Sequence, residues 1–420
     1  MERGVLPRAR ARAGGVSATH GAHGGEMVAT IDTEVVVAGA GPVGLVAALA
    51  LARAGVAVAL LEKRDALNAA SKASTFHPPT LEILAALGVL DEVSAQGEVV
   101  RRIQYRTPDG PFAEFAMSDL APRTAYPFRL HLEQARVTPV MLARFAAMPG
   151  ARVLLGTEFA GVEQHADGGI VVRARRGDDG DVAIRARYLV GADGAHSAVR
   201  RALGIAFEGA AYPHKILRVM TTDDLDAVLP GIAPVTYLFN APRSISFLRM
   251  PDCWRIILRV PDSVDDATAM RDDWLGERLA EVLPSWTRLP SIAGRDVYGV
   301  SRRVASRYAE GAAFLAGDSA HVTNTRGGMN MNCGMHDAFA LAGAMAAALR
   351  GGDPAGVARA SDERRRVAEE MLIPRTDRAV AGGDAWLEKI RATAASPADA
   401  SAYLATAAML DMLDRPGAAS

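Results

Sequence analysis

Cysteine is scarce in this chain: 420 residues hold two, Cys253 and Cys333. That excludes a disulfide scaffold and fits a reducing compartment, so a cytoplasmic location is expected. An excess of either charge is also missing, with 47 Lys and Arg against 48 Asp and Glu, a net −1. Such a balance leaves no electrostatic footprint for nucleic acid or for an acidic membrane surface. Aromatic residues make up only 5%, and the four tryptophans (254, 274, 286 and 386) stand apart from one another. Apolar runs are cut by charges or turns before the roughly 20 residues that a membrane span needs. The start, "MERGVLPRARARAGGVSATHGAHGGEMVAT", is basic and has no continuous apolar segment, so it cannot act as a secretory signal. Residues 1–30 are expected to be a disordered extension, with Met27 a candidate true start.

What remains is half hydrophobic and 23% charged, the make-up of a globular chain with a sizeable core. "EVVVA" (34–38) reads as a buried strand that runs into "GAGPVGL". "VGLVAALALARAG" (43–55) reads as a helix closed by Gly55, and "VAVALLEK" (56–63) as a second strand. Strand, glycine turn, helix and strand make a βαβ unit with a parallel pair. Gly39, Gly41 and Gly44 form G-x-G-x-x-G in that turn. The first glycine permits the tight turn, the second lets backbone approach a pyrophosphate, and the third lets helix meet strand. The helix N-terminus then offers free N–H groups to the phosphate. Glu62 ends the second strand, where a carboxylate can accept from a ribose diol and would repel the 2′-phosphate of NADP.

Further on, "RRIQYRTPDGPFAEFAM" predicts a hairpin with Pro-Asp-Gly at its tip, and "HLEQARVTPVMLARFAAM" a helix. Strands are predicted at 152–156, 159–164, 169–175 and 182–191, and a separate antiparallel sheet within 213–261. From 334 onward the chain reads as mostly helical. The fold class expected is α/β: a Rossmann-like dinucleotide domain with a parallel sheet, interrupted by a mixed or antiparallel substrate domain, plus C-terminal helices. The boundaries expected are 31–97, 125–204 and 300–372 for the first, 98–124 and 205–299 for the second, and 373–420 for the helices.

Two more turns carry chemistry. "YLVGADGAHSAVRRALGI" (188–205) is an apolar strand ending in Asp193-Gly194 before a helix. "AAFLAGDSAH" empties a strand into Gly317-Asp318, followed by Gly327-Gly328 and a helix starting near Asn332. His321, Cys333 and His336 crowd this last stretch, but they are too mixed for a zinc site, and no H-x-E with C-x-x-C accompanies them. "GDSAH" is not the G-x-S-x-G elbow of a serine nucleophile. The pattern that fits is a loop around a cofactor, with Asp318 on a ribitol or ribose hydroxyl and glycines for close approach. No metal is expected.

The order G-x-G-x-x-G with Glu62, then Asp193-Gly194, then Gly317-Asp318 resembles the flavoprotein aromatic hydroxylases, the para-hydroxybenzoate hydroxylase-like monooxygenases. "KASTFHPPTLEILAALGV" (72–89) and "FRLHLEQARVTPVML" (128–142) extend the likeness, which covers residues 34 to roughly 370. The resemblance implies non-covalent FAD, with Gly39, Gly41, Gly44 and Glu62 on its ADP half. It places Lys72, where Arg is usual, on the pyrophosphate, adds Gln134 as a contact, and gives Asp193 to FAD and NAD(P)H handling and Asp318 to the ribitol. Gly328 and the backbone N–H groups of Met331 and Asn332 would border the flavin and meet its negative charge.

The activity implied is a single-component monooxygenase, with NADH or NADPH as reductant and a flavin C4a hydroperoxide delivering oxygen to an aromatic substrate. Its partners would be that small molecule and dioxygen, with no nucleic acid and no membrane, in a monomer or homodimer. His77, His214, Tyr237 and Arg249 are candidates for proton handling by region alone, and no catalytic residue is assigned. Alternatives are a halogenase, although its W-x-W-x-I-P run is missing, a reductase or dehydrogenase of the same fold, or a non-catalytic FAD or NAD sensor. No thioredoxin-like C-terminal domain is expected. The chain departs from the family at Asn324 and Thr325, where Pro is usual, and at Asn330, where Gly is usual. A Gly position beside a flavin leads one to expect Asn330 in the left-handed backbone region.

Overall fold

A computed structural model describes residues 29–413, apart from 71–72, 167, 178–179, 241–242, 284–285, 287 and 382–383. Residues 1–28, with Met27, and Lys72 therefore lie outside the described residues. The architecture is the expected α/β class. The strands Ala313–Leu315, Tyr188–Gly191, Val35–Ala38, Val58–Leu61 and Ala151–Leu154 lie side by side in that order, all parallel. The inner strands are apolar throughout because both faces are covered, one by helices and the other by a four-stranded sheet that supplies Phe159, Val172, Ala174 and Ile184, so no alternation is needed. Helix Pro42–Arg53 packs against the parallel sheet with Gly44, Leu45, Val46, Ala47, Ala48, Leu49, Leu51 and Ala52 all buried. Helix Asn330–Leu349 lies against that helix.

Register decides where the chemistry falls. Ala38 pairs with Leu61 and with Gly191, and Gly191 pairs with Leu315. Four parallel strands thus end level, and the chain leaves them at Gly39, Glu62, Ala192 and Ala316. Ligands bind at such carboxyl-end crevices because loops there diverge and helix N-termini face inward.

The segment expected as one strand, 182–191, is two. Asp181–Ala186 joins a four-stranded sheet, whereas Tyr188–Gly191 belongs to the parallel one. Both pieces are apolar enough to read as continuous, and only the change of sheet near Arg187 separates them.

A third sheet has eight strands, including Phe207–Thr221, Val235–Asn240, Arg243–Arg249, Trp254–Pro261 and Ile292–Ala305. It is antiparallel except where Val235–Asn240 runs beside Arg102–Thr107. Alternation splits its faces. Leu217, Val219, Ile245, Phe247, Ile256 and Leu258 join one core with Trp274, Leu275 and Leu279 of helix Asp272–Val282. Ile216, Arg218, Ser244, Ser246, Ile257 and Arg259 point the other way, into a cavity. Helices Asp384–Ala395 and Pro397–Ala407 pack near its far edge, where Tyr105 and Tyr403 share a 2.6 Å hydrogen bond.

Candidate functional site

The glycines of the first turn have distinct duties. A Cβ on Gly44 would lie 1.9 Å from the Gly39 carbonyl oxygen, and one on Gly39 would lie 2.4 Å from that of Ala192. These two glycines let two strand ends and a helix converge. A Cβ on Gly41 would meet nothing within 4 Å, because Gly41 faces open space. Gly41 is also the N-cap of helix Pro42–Arg53, whose Pro42 suits the first helical position. An anion in that space meets free N–H groups and the positive end of the helix.

Glu62 is buried beside this turn. Its Oε2 accepts from the Ala40 N–H at 3.1 Å, and its Oε1 from the Arg64 N–H at 3.2 Å. It therefore holds the glycine turn as well as lining the adjacent cavity, with lone-pair capacity left for a hydroxyl. Asp193 lines the same cavity. Its Oδ2 accepts from the N–H groups of Ala198 and Val199 at 2.6 and 3.1 Å, while Oδ1 is buried with no hydrogen-bond partner.

Two cavities share the wall formed by Gly41, Pro42, Asn68, Gln134, Ala192, Gly194 and His196. The smaller, about 230 Å³, holds Glu62 and Asp193; the larger, about 890 Å³, runs past Asp318 and Gly328 to the eight-stranded sheet. Gly39, Gly41, Glu62, Gln134, Asp193, Asp318, Gly328 and Met331 all line one or the other. Gly44 and Asn332 stand behind the wall, where they shape it.

The loop before helix Asn330–Leu349 is held tightly. Gly327 and Gly328 have φ of +80° and +66°, and a Cβ on Gly328 would lie 2.9 Å from that of Thr75. Asn332 staples this loop: its amide nitrogen donates to the carbonyls of Thr75 and Gly328 at 2.8 and 2.7 Å, and its oxygen accepts from the His77 N–H at 2.9 Å. The helix's first intrahelical bond runs from Cys333 N to Met329 O, so the N–H groups of Met331 and Asn332 precede it and stay available.

Asn330 is not in the left-handed region. Among the described residues the one non-glycine with positive φ is Met409. Asn330 is instead the first residue of the helix, and it works through its amide, which donates to Asp318 Oδ1 at 2.8 Å. Asn324, the other departure, donates to the Tyr212 hydroxyl at 3.1 Å and accepts from the Arg326 N–H at 3.0 Å.

Behind Asp318 lies a buried ionic group. Asp337 accepts from His321 Nε2 and from Arg364 Nε, both at 2.8 Å. Burial works against the Asp337 charge, but His321 and Arg364 outweigh it and hold its pKa at about 2. Burial likewise lowers His321, and Asp337 more than reverses this, leaving its pKa well above the usual value. The donor atoms of His321, Cys333 and Asp337 lie within 4.8 Å of one another. The Arg364 guanidinium already neutralises them, reaching Cys333 Sγ at 3.4 Å, so a metal cation would have to displace a buried arginine. His336 turns away to Thr80.

These features suit FAD: two adjoining cavities, an open glycine at a helix start, an unpartnered Asp193 oxygen, and a second helix N-terminus beside Gly328. The family described as FAD binding domain matches residues 32–373. This chain belongs to the FAD-dependent aromatic monooxygenases. It is 33% identical over 365 residues to aklavinone 12-hydroxylase RdmE of Streptomyces purpurascens, spanning 81% of this chain and 67% of that one. p-Nitrophenol 4-monooxygenase PnpA of Pseudomonas putida DLL-E4 has a similar solved structure, with TM-score 0.81, 25% identity, and coverage of 89% and 97%. A ternary complex of aklavinone-11 hydroxylase with FAD and aklavinone gives TM-score 0.71 at 30% identity, covering 83% and 68%.

Of the four residues named for proton handling, His214 and Tyr237 line the monooxygenase's larger cavity. His77 is buried under the glycine loop, with its Nε2 on the Gly327 carbonyl at 2.8 Å, and Arg249 stacks on Trp254. Sequence reasoning passed over His131, Arg255, Arg259, Tyr298 and Arg326, which all line the cavity. The alternation in "WRIILRV" carried the signal for Arg255 and Arg259.

Proposed function

We propose that this monooxygenase takes electrons from NADH or NADPH and hydroxylates a phenolic or related aromatic ring held against the eight-stranded sheet. One observation carries the reading: the larger cavity continues without a wall from the Gly327-Gly328 loop onto the sheet face of Ile216, Tyr237, Leu248, Ile257 and Tyr298. FAD, when bound, supplies the redox chemistry and the reaction with dioxygen. The chain supplies position and polarity. Gly39, Gly41, Gln134, Asp193 and Asp318 hold the cofactor, and Glu62 accepts from its ribose. The Met331 and Asn332 N–H groups stabilise negative charge at the helix start.

A phenol must give up a proton to become a strong nucleophile, and His131 is the histidine that lines the cavity beside Arg129 and Arg255. Its Nδ1 lies 2.7 Å from the Arg249 carbonyl, which only accepts, so Nδ1 carries the hydrogen. Nε2 is then the ring nitrogen without a hydrogen, buried and with no hydrogen-bond partner. Burial lowers His131 to about 4, so the ring is neutral and a weak base at neutral pH. A phenol already ionised in solution therefore suits this pocket better than one that must be deprotonated there. Relatives named for nitrophenol and for aklavinone support a single-ring or a fused-ring substrate.

The test is a panel of phenolic, quinoline and polyketide-like compounds under heavy dioxygen, scored by stimulated NAD(P)H oxidation and product mass. One labelled oxygen per turnover is expected. Oxygen drawn from water, a halogenated product, or no stimulation by any compound would overturn the proposal.

A further inference from the structure

Resting on that proposed reaction, we infer that the substrate carries an anionic group, a carboxylate or an equivalent acid, which pairs with Arg259 and Arg326 where the cavity meets the sheet. Both arginines line the cavity. Arg259 projects from strand Trp254–Pro261 opposite Ile216, and its one hydrogen bond among the described residues reaches Ser244 Oγ at 3.5 Å. Arg326 comes from the loop ahead of Gly327. Its guanidinium lies 4.7 Å from the Tyr237 ring centroid and 5.6 Å from that of Phe239. Neither guanidinium has a carboxylate at ion-pair distance among the described residues.

Their neighbours differ. Arg255 is paired with Glu133 at 3.0 Å, Arg218 with Asp296 at 2.8 Å, and Arg200 is held by the carbonyls of Ser319 and Ala195. These cations already have partners. Arg259 and Arg326 instead face each other's charge: burial and the Arg326 guanidinium push Arg259 down to about 10. His214 feels burial first and then Arg259, both of which lower its pKa, with Asp262 acting weakly the other way. Two partly buried like charges without a counter-ion are unfavourable unless something negative joins them. Stacking on two aromatic rings fixes the Arg326 plane, leaving its N–H fork free for a carboxylate.

This site is separate from the cradle for the pyrophosphate, which sits at Gly41 in the first turn. Hence the anion it takes belongs to the aromatic molecule. The competing source is a phosphate of NADPH, and the experiment distinguishes the two.

FAD-loaded enzyme is titrated with benzoate, 2-naphthoate and anthracene-2-carboxylate, and with the three matching primary amides, following the flavin absorbance. Each acid has the shape of its amide and differs in charge. At least one acid is expected to bind tenfold or more tighter than its amide, equivalent to about 1.4 kcal/mol. Arg259→Met and Arg326→Gln should each abolish that preference while amide affinity, FAD content and NADPH KM stay as in the wild type. Equal affinities for all three pairs, or no acid bound below about 1 mM, overturn the inference. So does a preference that survives in both variants. A raised NADPH KM with the preference intact assigns the arginines to the nucleotide. Flavin content and oxygen incorporation report separately on the monooxygenase reading, so a neutral substrate that is hydroxylated normally would sink this inference alone.

Discussion

The Asn330 amide nitrogen donates to Asp318 Oδ1 at 2.8 Å, while its oxygen lies 3.1 Å from His321 Nδ1. His321 in turn meets Asp337, and Asp337 meets Arg364. A hydrogen-bonded chain therefore runs from the buried interior to the carboxylate assigned to the ribitol.

Removing the Asn330 amide should loosen Asp318 whatever replaces it. Asn330→Gly and Asn330→Val are both expected to weaken FAD binding about fivefold to tenfold, the worth of one hydrogen bond. The two variants should match, because the backbone is helical and a β-branched residue meets no left-handed strain there. Flavin fluorescence titration of the apoprotein gives both constants. A Val variant much worse than Gly would restore the view that conformation, not the amide, matters.

Cutting the chain at its buried end should cost stability. Arg364→Met leaves Asp337 with one cationic partner inside the protein and is expected to destabilise by about 3 kcal/mol. Urea unfolding midpoints at constant slope would check it; a loss under 1 kcal/mol would mean that solvent reaches Asp337.

The first-turn glycines should respond differently to a single methyl group. Gly44→Ala places a Cβ on a backbone oxygen 1.9 Å away, so it should fold poorly and bind little FAD. Gly41→Ala has open space, so it should keep its Tm and lose only cofactor affinity, by about tenfold. Melting curves of the apoproteins, set beside flavin content, distinguish the cases.

Acid should destabilise the protein through histidines that are buried neutral. Burial lowers His131 to about 4 and His336 to about 3, and lowers His77 well below its usual value. Unfolded histidines titrate near pH 6.5, at about the usual value. Between about pH 4 and 6.5 the unfolded chain binds more protons, so stability rises with pH across that window, by about 1.4 kcal/mol per pH unit for each such histidine. His321 has the opposite sign: its stabilisation is complete below pH 6.5 and is lost as pH climbs through its raised folded value. His336→Gln should flatten the acid slope by about one proton. An unchanged slope of Tm against pH would show that His336 is protonated in the fold.

Much of this molecule was legible in the sequence because its parts are local. A strand, a glycine turn and a helix occupy Val35–Arg53 without help from elsewhere, and the Asp-Gly and Gly-Asp turns obey the same rule. What stayed hidden depends on distant partners. Lys72 lies outside the described residues. The role of Asn332 requires Thr75 and His77, more than 250 residues away, to meet it. Asn330 was misread because a family preference for Gly was taken as a backbone signal, when the side chain had found Asp318. Arg255 and Arg259 were spelled out by alternation in one strand, yet only the register of Arg259 opposite Ile216 gives that alternation a direction.

The two residues His321–Val322 form the outermost strand of the eight-stranded sheet, paired with Arg303 and Val304, although they lie in the loop that begins at Gly317-Asp318. The sheet that floors the larger cavity and the loop proposed to clasp the cofactor thus share a piece of chain and cannot be exchanged independently. A chimera that imports a relative's sheet would have to import this short strand with it, and so would inherit that relative's clasp. Recombination within such proteins should find few clean crossovers here, and those that survive should lie outside the stretch from Ile292 to the start of helix Asn330–Leu349.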